Sequence, residues 1–262
     1  MRALVTGASH GIGGATCRKL AQDGLARGER VRIAATATGT RPDLDELVAE
    51  LNEMGASAVA LTGDLADPSV PGRLVAQALE FCGGLDALVS NAAMRHQAPL
   101  LDLQIEHWDS VFAVNARATW LLGRAAHAAL AESTGAIVAV SSIAGMYPHA
   151  NYGPYAASKA ALVMICQQMA QEWGPDGIRV NCVAPGMVRT RNAANVYADP
   201  VLAAERAERV PLRRVADPSE LAGAIAMLLS PDASYITGQN ICVDGGFTAS
   251  VMATIPGRPA AR

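Results

Sequence analysis

The chain has 262 residues, of which 51% are hydrophobic and 17% charged, with a net charge of −3. That balance supplies a sizeable core and excludes disorder; without long charge runs it also argues against nucleic acid or an anionic membrane as main partner. The five cysteines (Cys17, Cys82, Cys166, Cys182 and Cys242) show no C-x-x-C pair and no metal-ligand spacing. They read as small buried hydrophobes in a reducing compartment, and no metal is expected.

The N-terminal run MRALVTGAS is too short for a signal peptide, and no stretch nears the roughly 20 apolar residues that span a bilayer. The expectation is a soluble, cytoplasmic protein. The first strand candidate, RALVTGA, runs into TGASHGIG: Thr6, Gly7, Ala8, Ser9, His10, Gly11, Ile12 and Gly13. Three glycines permit a tight turn, close approach of the backbone to phosphate, and close packing of the next helix. That helix, GGATCRKLAQDGLA, begins with free N–H groups and a positive dipole end, which suits a pyrophosphate. An ordinary glycine-rich turn is the plain alternative. No Gly-Lys pair occurs in the chain, so a Walker-type loop is not supported. His10 is expected beside the phosphates or the adenosine end, not in catalysis.

Further along, RVRIAAT, SAVALTG and DALVSNA read as strands two to four, separated by the helical patterns PDLDELVAELNEMG and PGRLVAQALEFCGG. One long helical pattern, EHWDSVFAVNARATWLLGRAAHAAL, carries Asn115 on an otherwise apolar face; its amide is either structural or functional. Strand five, GAIVAVSS, ends at Ser141 and Ser142, two hydroxyls at the carboxyl edge of the sheet.

Next comes NYGPYAASK, with Tyr152 and Tyr155 shortly before Lys159. Proline is favoured at a helix start and pushes its predecessor out of helical conformation. Pro154 therefore leaves Tyr152 and Gly153 outside the helix and places Tyr155 in its first turn, with Lys159 four residues on along the same face. A phenol near pKa 10 is a poor acid–base group at neutral pH, and a nearby ammonium favours its ionised form. A surface tyrosine–lysine pair is the bland alternative, but the Ser141–Ser142 pair tips the balance toward chemistry. After the helix PYAASKAALVMICQQMAQEWG come strand six, RVNCVAPG, an irregular segment over about 187–215, the helix PSELAGAIAMLLS and a seventh strand, NICVDGG.

Strand and helix alternate without a linker or repeat. The expected fold is α/β: a doubly wound Rossmann-type domain over 1–262, with a seven-stranded, mostly parallel sheet and helices on both faces. In such sheets ligands bind beyond the carboxyl ends of the strands, at the switch point.

Taken together, the turn from Thr6 to Gly13, Asp64 after strand three, SNAA after strand four, Asn115, Ser142, Tyr155-x-x-x-Lys159, NCVAPGMVRT and ITGQNICVDGG resemble the short-chain dehydrogenase/reductase family. The likeness covers nearly the whole chain. It implies that Tyr155 is the general acid in reduction and base in oxidation, that Ser142 orients the carbonyl or hydroxyl, and that Lys159 lowers the phenol pKa and binds the nicotinamide ribose. Asn115 would help hold a relay water. Asp64 and Leu65 would contact adenine, Asn91 and Ala92 would line the cofactor, and Pro185, Gly186, Val188 and Thr190 would border the nicotinamide. Ala93 stands where the family pattern has glycine.

The implied function is hydride transfer between NAD(P)(H) and a carbonyl or secondary alcohol, as a CH–OH oxidoreductase. A 3-oxoacyl-type ketone is suggested by the TATG end of strand two, which is similar to that of 3-oxoacyl-(acyl carrier protein) reductases. A cyclic, polyol or sugar-like alcohol is the alternative, and a non-catalytic dinucleotide sensor lies outside both. Strand two ends without the acid that selects NAD, while Thr36, Thr38 and Arg41 could receive a 2′-phosphate, so NADP is expected ahead of NAD. Met94, His96, Met146, Tyr147, His149, Tyr152 and Met187 are candidates for the substrate wall, with the lid over about 187–215. Arginines of that lid could receive an acidic carrier, or be plain solvated charge. The resemblance also implies a homotetramer. The tail over about 248–262 has no assigned role.

Overall fold

The structure is a computed structural model that describes residues 1–191 and 194–250. From residue 251 on, the tail lies outside the described residues, as do positions 192 and 193 of the segment expected as a lid. Seven strands, β1 (Arg2–Val5), β2 (Arg32–Ala37), β3 (Ser57–Thr62), β4 (Ala87–Ser90), β5 (Ala136–Val140), β6 (Arg179–Pro185) and β7 (Asn240–Val243), form one sheet. Its order is β3-β2-β1-β4-β5-β6-β7, and every pairing is parallel.

Alternation along the strands sends residues to two cores. Ala3 and Val5 of β1 face one cluster, while Leu4 faces the other. The first core lies under helices α1 (Gly11–Ala26), α2 (Pro42–Glu53) and α9 (Pro218–Leu229). The second lies under α3 (Val70–Cys82), α5 (Ala118–Ser133) and α6 (Tyr155–Trp173). Strands buried on both faces must be apolar throughout, which is why β4 and β5 read as uninterrupted runs. The edge strands depart from the expectation of double cover: β3 and β7 are largely half-buried. Cys242 sits on that β7 edge and is exposed, unlike Cys17, Cys82, Cys166 and Cys182, so the reading of five buried thiols holds for four.

A second departure concerns the long helix. The pattern expected as one element is α4 (Ile105–Phe112) and α5, joined by a π-helical turn over Ala113–Arg117. Such turns insert one residue into a helix and often mark functional positions; Asn115 lies in the middle of this one. The segment expected as a lid carries two short helices, α7 (Ala194–Tyr197) and α8 (Pro200–Glu208).

Candidate active site

The site grows from the switch point between β1 and β4, whose carboxyl ends part as their connections leave in opposite directions. Thr6 follows β1 directly and ties the two strands: its hydroxyl accepts the N–H groups of Asn91 (3.0 Å) and Ala92 (3.1 Å). The Asn91 amide donates to the carbonyls of Thr6 (3.0 Å) and Gly7 (2.9 Å). This contact leaves no room for side chains. A Cβ on Gly13 would lie 2.3 Å from the Gly7 carbonyl oxygen, and one on Gly7, at φ +62°, would lie 2.9 Å from Ala92 Cα. Gly11 adopts φ +59° beside Thr190. His10 is the N-cap of α1 without a side-chain capping bond, and no acid sits in the first turn.

The result is a helix N-terminus facing a groove floored by backbone. Such a cradle fits a pyrophosphate. Ser9 and Ile12 flank it, half-buried. Burial lowers the His10 pKa, and the charge of Arg191 pushes the same way, so the imidazole is a neutral hydrogen-bonding group near neutral pH.

At the adenosine end Thr36 is buried, 2% exposed, and its carbonyl accepts the Ala8 N–H (2.8 Å). Its hydroxyl has little access to a ligand, contrary to the expectation of a phosphate contact. Thr38 is exposed, and Arg41 donates to the Thr38 carbonyl (3.2 Å) at the same corner. Asp64 is exposed and caps its own turn through Ala66 N–H (2.9 Å); Leu65 is buried in the second core.

On the β5 side, the two adjacent serines separate into different jobs. Ser141 is buried, with its hydroxyl 3.0 Å from the Val183 carbonyl and 2.7 Å from Asn240 Oδ1, so it ties β5 to β6 and β7. Ser142 is half-buried; its hydroxyl accepts the Ala144 N–H (3.1 Å) and lies near enough to the Tyr155 phenol to favour its ionised form. Pro154 is the N-cap and Tyr155 the first residue of α6, while Gly153 at φ +53° turns the chain outside the helix, as the Pro154 reading requires. Tyr152 stacks on His149 (3.7 Å between centroids) and stands 6.4 Å from the Tyr155 ring, in the loop.

Lys159 is buried, 2% exposed, with its ammonium 5.9 Å from the centre of the Tyr155 ring. It donates to the Val140 carbonyl (2.7 Å). An ammonium has three donors, and among the described residues one acceptor, the Val140 carbonyl, is within hydrogen-bonding distance. Burial lowers its pKa to about 8. For Tyr155, burial pushes the phenol above its usual value, partly offset by the Ser142 hydrogen bond and then the charge of Arg95. The expected lowering of the phenol by Lys159 is thus not expressed in the protein alone, where the ammonium is turned to Val140. A donor with two protons to spare, beneath a phenol and beside a backbone cradle, fits the ribose of a dinucleotide.

Asn115 is buried and bonded at both ends of its amide: Oδ1 accepts the Met94 N–H (2.7 Å), and Nδ2 donates to the Met94 carbonyl (2.9 Å) and Ser158 Oγ (2.9 Å). Ser158 donates onward to the Tyr155 carbonyl (2.7 Å). The π turn therefore couples the loop after β4 to the first turn of α6, a link that a spacing argument could not find. Across the cleft Pro185 is buried at the end of β6, and Gly186 packs so closely on Asp244 that a Cβ would lie 2.6 Å from its Cβ. Val188 pairs with Ala216, and Thr190 reaches back toward Gly11. Asp244, which the sequence reading passed over, holds this turn by accepting from Gly246 N–H and from the Thr248 N–H and hydroxyl.

A parallel sheet with a backbone cradle at its switch point, and a serine–tyrosine–lysine cluster on the adjoining strand end, defines a Rossmann-type dinucleotide oxidoreductase. A family model described as enoyl-(acyl carrier protein) reductase matches residues 7–248. Cis-4-hydroxycyclohexanecarboxylate dehydrogenase of Sinomonas cyclohexanicum is 39% identical over 250 residues, 94% of this chain and 96% of that protein. Dehydrogenase/reductase SDR family member 4 of Bos taurus is 37% identical over 246 residues, 93% of this chain and 86% of the relative. A short-chain dehydrogenase from Burkholderia cenocepacia J2315, solved in complex with NADP, superposes with a TM-score of 0.85 at 35% identity, covering 94% of this chain and 97% of the other. The chain belongs to the short-chain dehydrogenase/reductase family. It is an oxidoreductase that moves hydride between a nicotinamide dinucleotide and a carbonyl or secondary alcohol.

Proposed function

We propose that residues 1–262 form one catalytic unit acting on the CH–OH/C=O couple of a small secondary alcohol or ketone, with NADP preferred over NAD. The observation that carries this reading is the half-buried Ser142 hydroxyl set beside the Tyr155 phenol, whose ring centre lies 5.9 Å from the buried ammonium of Lys159, one helical turn on. When bound, the nicotinamide supplies or accepts the hydride. In reduction, Tyr155 donates its proton to the carbonyl oxygen while Ser142 holds that oxygen in line; in oxidation the phenolate removes the hydroxyl proton. Lys159 holds the ribose hydroxyls with its spare donors. Asn115 positions Tyr155 through Ser158, with one Oδ1 lone pair left to hold a relay water.

Gly7, Ser9, His10, Gly11, Ile12 and Gly13 hold the pyrophosphate, Asp64 and Leu65 the adenine, Asn91 and Ala92 the ribose side, and Pro185, Gly186, Val188 and Thr190 the nicotinamide. The absence of an acid at the end of β2, together with exposed Thr38 and Arg41, supports NADP; the Burkholderia relative was solved with that cofactor. The segment over about 187–215 is the substrate lid.

The Sinomonas relative acts on a cyclic secondary alcohol by name, which supports a small molecule of that kind. A 3-oxoacyl ketone is the second reading, favoured by the acyl carrier protein in the family model's description. Against a carrier partner, the lid arginines are largely committed: Arg191 to Asp43 (2.8 Å), Arg214 to Glu220 (2.6 Å) and Arg213 to the Glu208 carbonyl (2.8 Å). Assembly as a homotetramer is supported by the exposed apolar residues on α5 and α6, Trp120 and Met164. A cytoplasmic location accords with the four buried free thiols, and no described helix is long and apolar enough to cross a membrane.

A panel of cyclic, polyol and 3-oxoacyl thioester substrates, followed by cofactor absorbance with NADPH and NADH in parallel, tests the reading. Turnover by the wild-type protein and a loss of about 10²–10⁴-fold in Tyr155→Phe, with cofactor affinity retained, is expected. Equal turnover by Tyr155→Phe would refute it.

A further inference from the structure

One ion pair spans the carboxyl edge of the sheet, from the chain after β6 to the element after β2. Arg191 directly follows Thr190, which lies beside Gly11, and donates through Nη1 to Asp43 Oδ2 at 2.8 Å, 148 residues away in the sequence. Asp43 is the second residue of α2, whose N-cap is Arg41. This corner follows β2, and in such folds the ribose of the adenosine end binds there. Burial is the main cause that lowers the His10 pKa, and the charges of Arg191, Asp43 and Arg41 act on the imidazole after it. The pair therefore stands within electrostatic reach of the N-cap of α1, next to the backbone cradle.

The ribose corner carries few charges of its own: over residues 34–43 they are Arg41 and Asp43. An aspartate in the first turn suits the dipole of its helix, but its carboxylate repels a phosphate brought to the same corner. Arg41 and Asp43 alone cancel; with Arg191 the three leave one positive charge. The two partners of the pair are unequally placed. The Asp43 side chain is 21% exposed and that of Arg191 63%, so the carboxylate is seated in α2 and the guanidinium reaches it from the surface. Without Arg191, a half-buried carboxylate would stand uncompensated at the corner.

We infer that Arg191 is a specificity-determining residue for the cofactor: by pairing with Asp43 it cancels the carboxylate at the ribose corner, so that acceptance of a 2′-phosphate is controlled from across the cleft. The inference rests on the dinucleotide reading of the groove and adds the residue pair that admits NADP. Neither partner belongs to the cradle between β1 and β4, so the pyrophosphate that NAD and NADP share is held in the same way with or without the pair. The effect is one of summed charge, which separates it from a direct contact of Arg191 with phosphate. With Arg191 and Asp43 both neutral, the sum returns to one positive charge.

Binding decides it, without turnover. Dissociation constants for NADPH and NADH are measured by nucleotide fluorescence on wild type, Arg191→Gln, Asp43→Asn, the double variant and Arg191→Lys. Arg191→Gln should weaken NADPH about 10-fold and NADH less than about threefold, the scale of one charge interaction at a partly exposed, salt-screened site. Asp43→Asn should bind NADPH at least as tightly as wild type. The double variant should return NADPH to within about threefold of wild type, since its summed charge is the same. Arg191→Lys keeps the charge and should keep most of the wild-type ratio of the two constants. Equal losses of both cofactors in Arg191→Gln, or no loss of either, would overturn the inference. A double variant as weak as Arg191→Gln would overturn it too, by showing that the guanidinium itself touches the phosphate. A wild type that binds NADH more tightly than NADPH would refute the NADP reading alone, because the change of ratio in Arg191→Gln still decides the inference. Binding of neither cofactor by the wild type would overturn both. A surface ion pair contributes little to stability, so the variants should melt close to wild type and the change of ratio reads the corner.

Discussion

Between β1 and β4 the backbone closes to contact distance at Gly7, Gly13 and Asn91, and nearly every polar group there bonds to main chain. Beyond β6 the segment proposed as the lid is held differently, by Val188 pairing with Ala216, by Arg214 with Glu220, and by two arginines over the Tyr197 ring. One half of the site is shaped by exclusion of side chains, the other by side chains at the surface. A substitution in the first half should change the fold of the cradle, and one in the second should change what is bound. Asn115 and Lys159 sit at the seam, and their variants separate the two behaviours most sharply.

The largest effect is expected at Asn115. Its truncation to Ala strands the Met94 N–H and removes the partner of Ser158 in a buried setting, each lost bond costing about 1–3 kcal/mol. Asn115→Ala should lower stability by about 3 kcal/mol, measured by urea unfolding, and should reduce kcat by more than it raises the KM of NADPH. Equal stability in the variant would show that the loop after β4 is held by other means.

Lys159 gives the next effect, and its sign follows from burial. An unfolded lysine keeps its proton to about 10.5, whereas burial lowers the folded value to about 8. Between those two values the unfolded chain binds more protons, so stability rises with pH across that window. Below about pH 8 the ammonium is charged in both states and its destabilising contribution is at full size and flat. The rise should reach at most about 3 kcal/mol in the cofactor-free protein. The difference in urea midpoint between wild type and Lys159→Met isolates it from other groups that titrate there. A difference that does not change from pH 7.5 to 10.5 would mean that the ammonium is better solvated than its burial implies.

Much of this was legible in advance, for reasons that differ by residue. The strands follow from continuous apolar runs, and the cradle follows from glycines at a strand end, because both constraints are local. Pro154 separated Tyr152 from Tyr155 because proline acts on its neighbours' backbone. The π turn at Asn115 was not legible, since it is held by Met94 and Ser158, which lie 21 and 43 residues away. Nor was the Lys159 ammonium's bond to Val140, or the burial of the Thr36 hydroxyl, which depend on how strands and helices meet. Adjacent serines look alike in sequence; β6 and β7 assign Ser141 to structure and leave Ser142 to Tyr155.

Gly13 tests the cradle half. Its Cβ would meet the Gly7 carbonyl oxygen at 2.3 Å and the Asn91 amide at 2.6 Å, both fixed by strand contacts. Gly13→Ala should therefore cost about 1–3 kcal/mol through overpacking and weaken NADPH binding, read by fluorescence titration. Substrate KM at saturating cofactor should move less than the cofactor Kd. The reverse order would place Gly13 outside the cofactor path.

The smallest effect is expected in the lid. The Tyr197 ring carries Arg189 at 5.7 Å and Arg206 at 5.6 Å from its centre, and Arg206 donates to its hydroxyl at 3.4 Å. Exposed cation–ring pairs contribute about 0.5–1 kcal/mol each, and side chains at such a surface give up part of that to solvent. Tyr197→Ala should thus shift the unfolding midpoint by less than about 1 kcal/mol equivalent, with cofactor affinity unchanged. Both arginines lose the same support in this variant, so the lid's hold on substrate loosens even though the fold does not. An increase in substrate KM without a change in NADPH Kd is the expected signature. A change in NADPH Kd instead would mean that the lid and the cradle share one network, and that the division at β6 is not real.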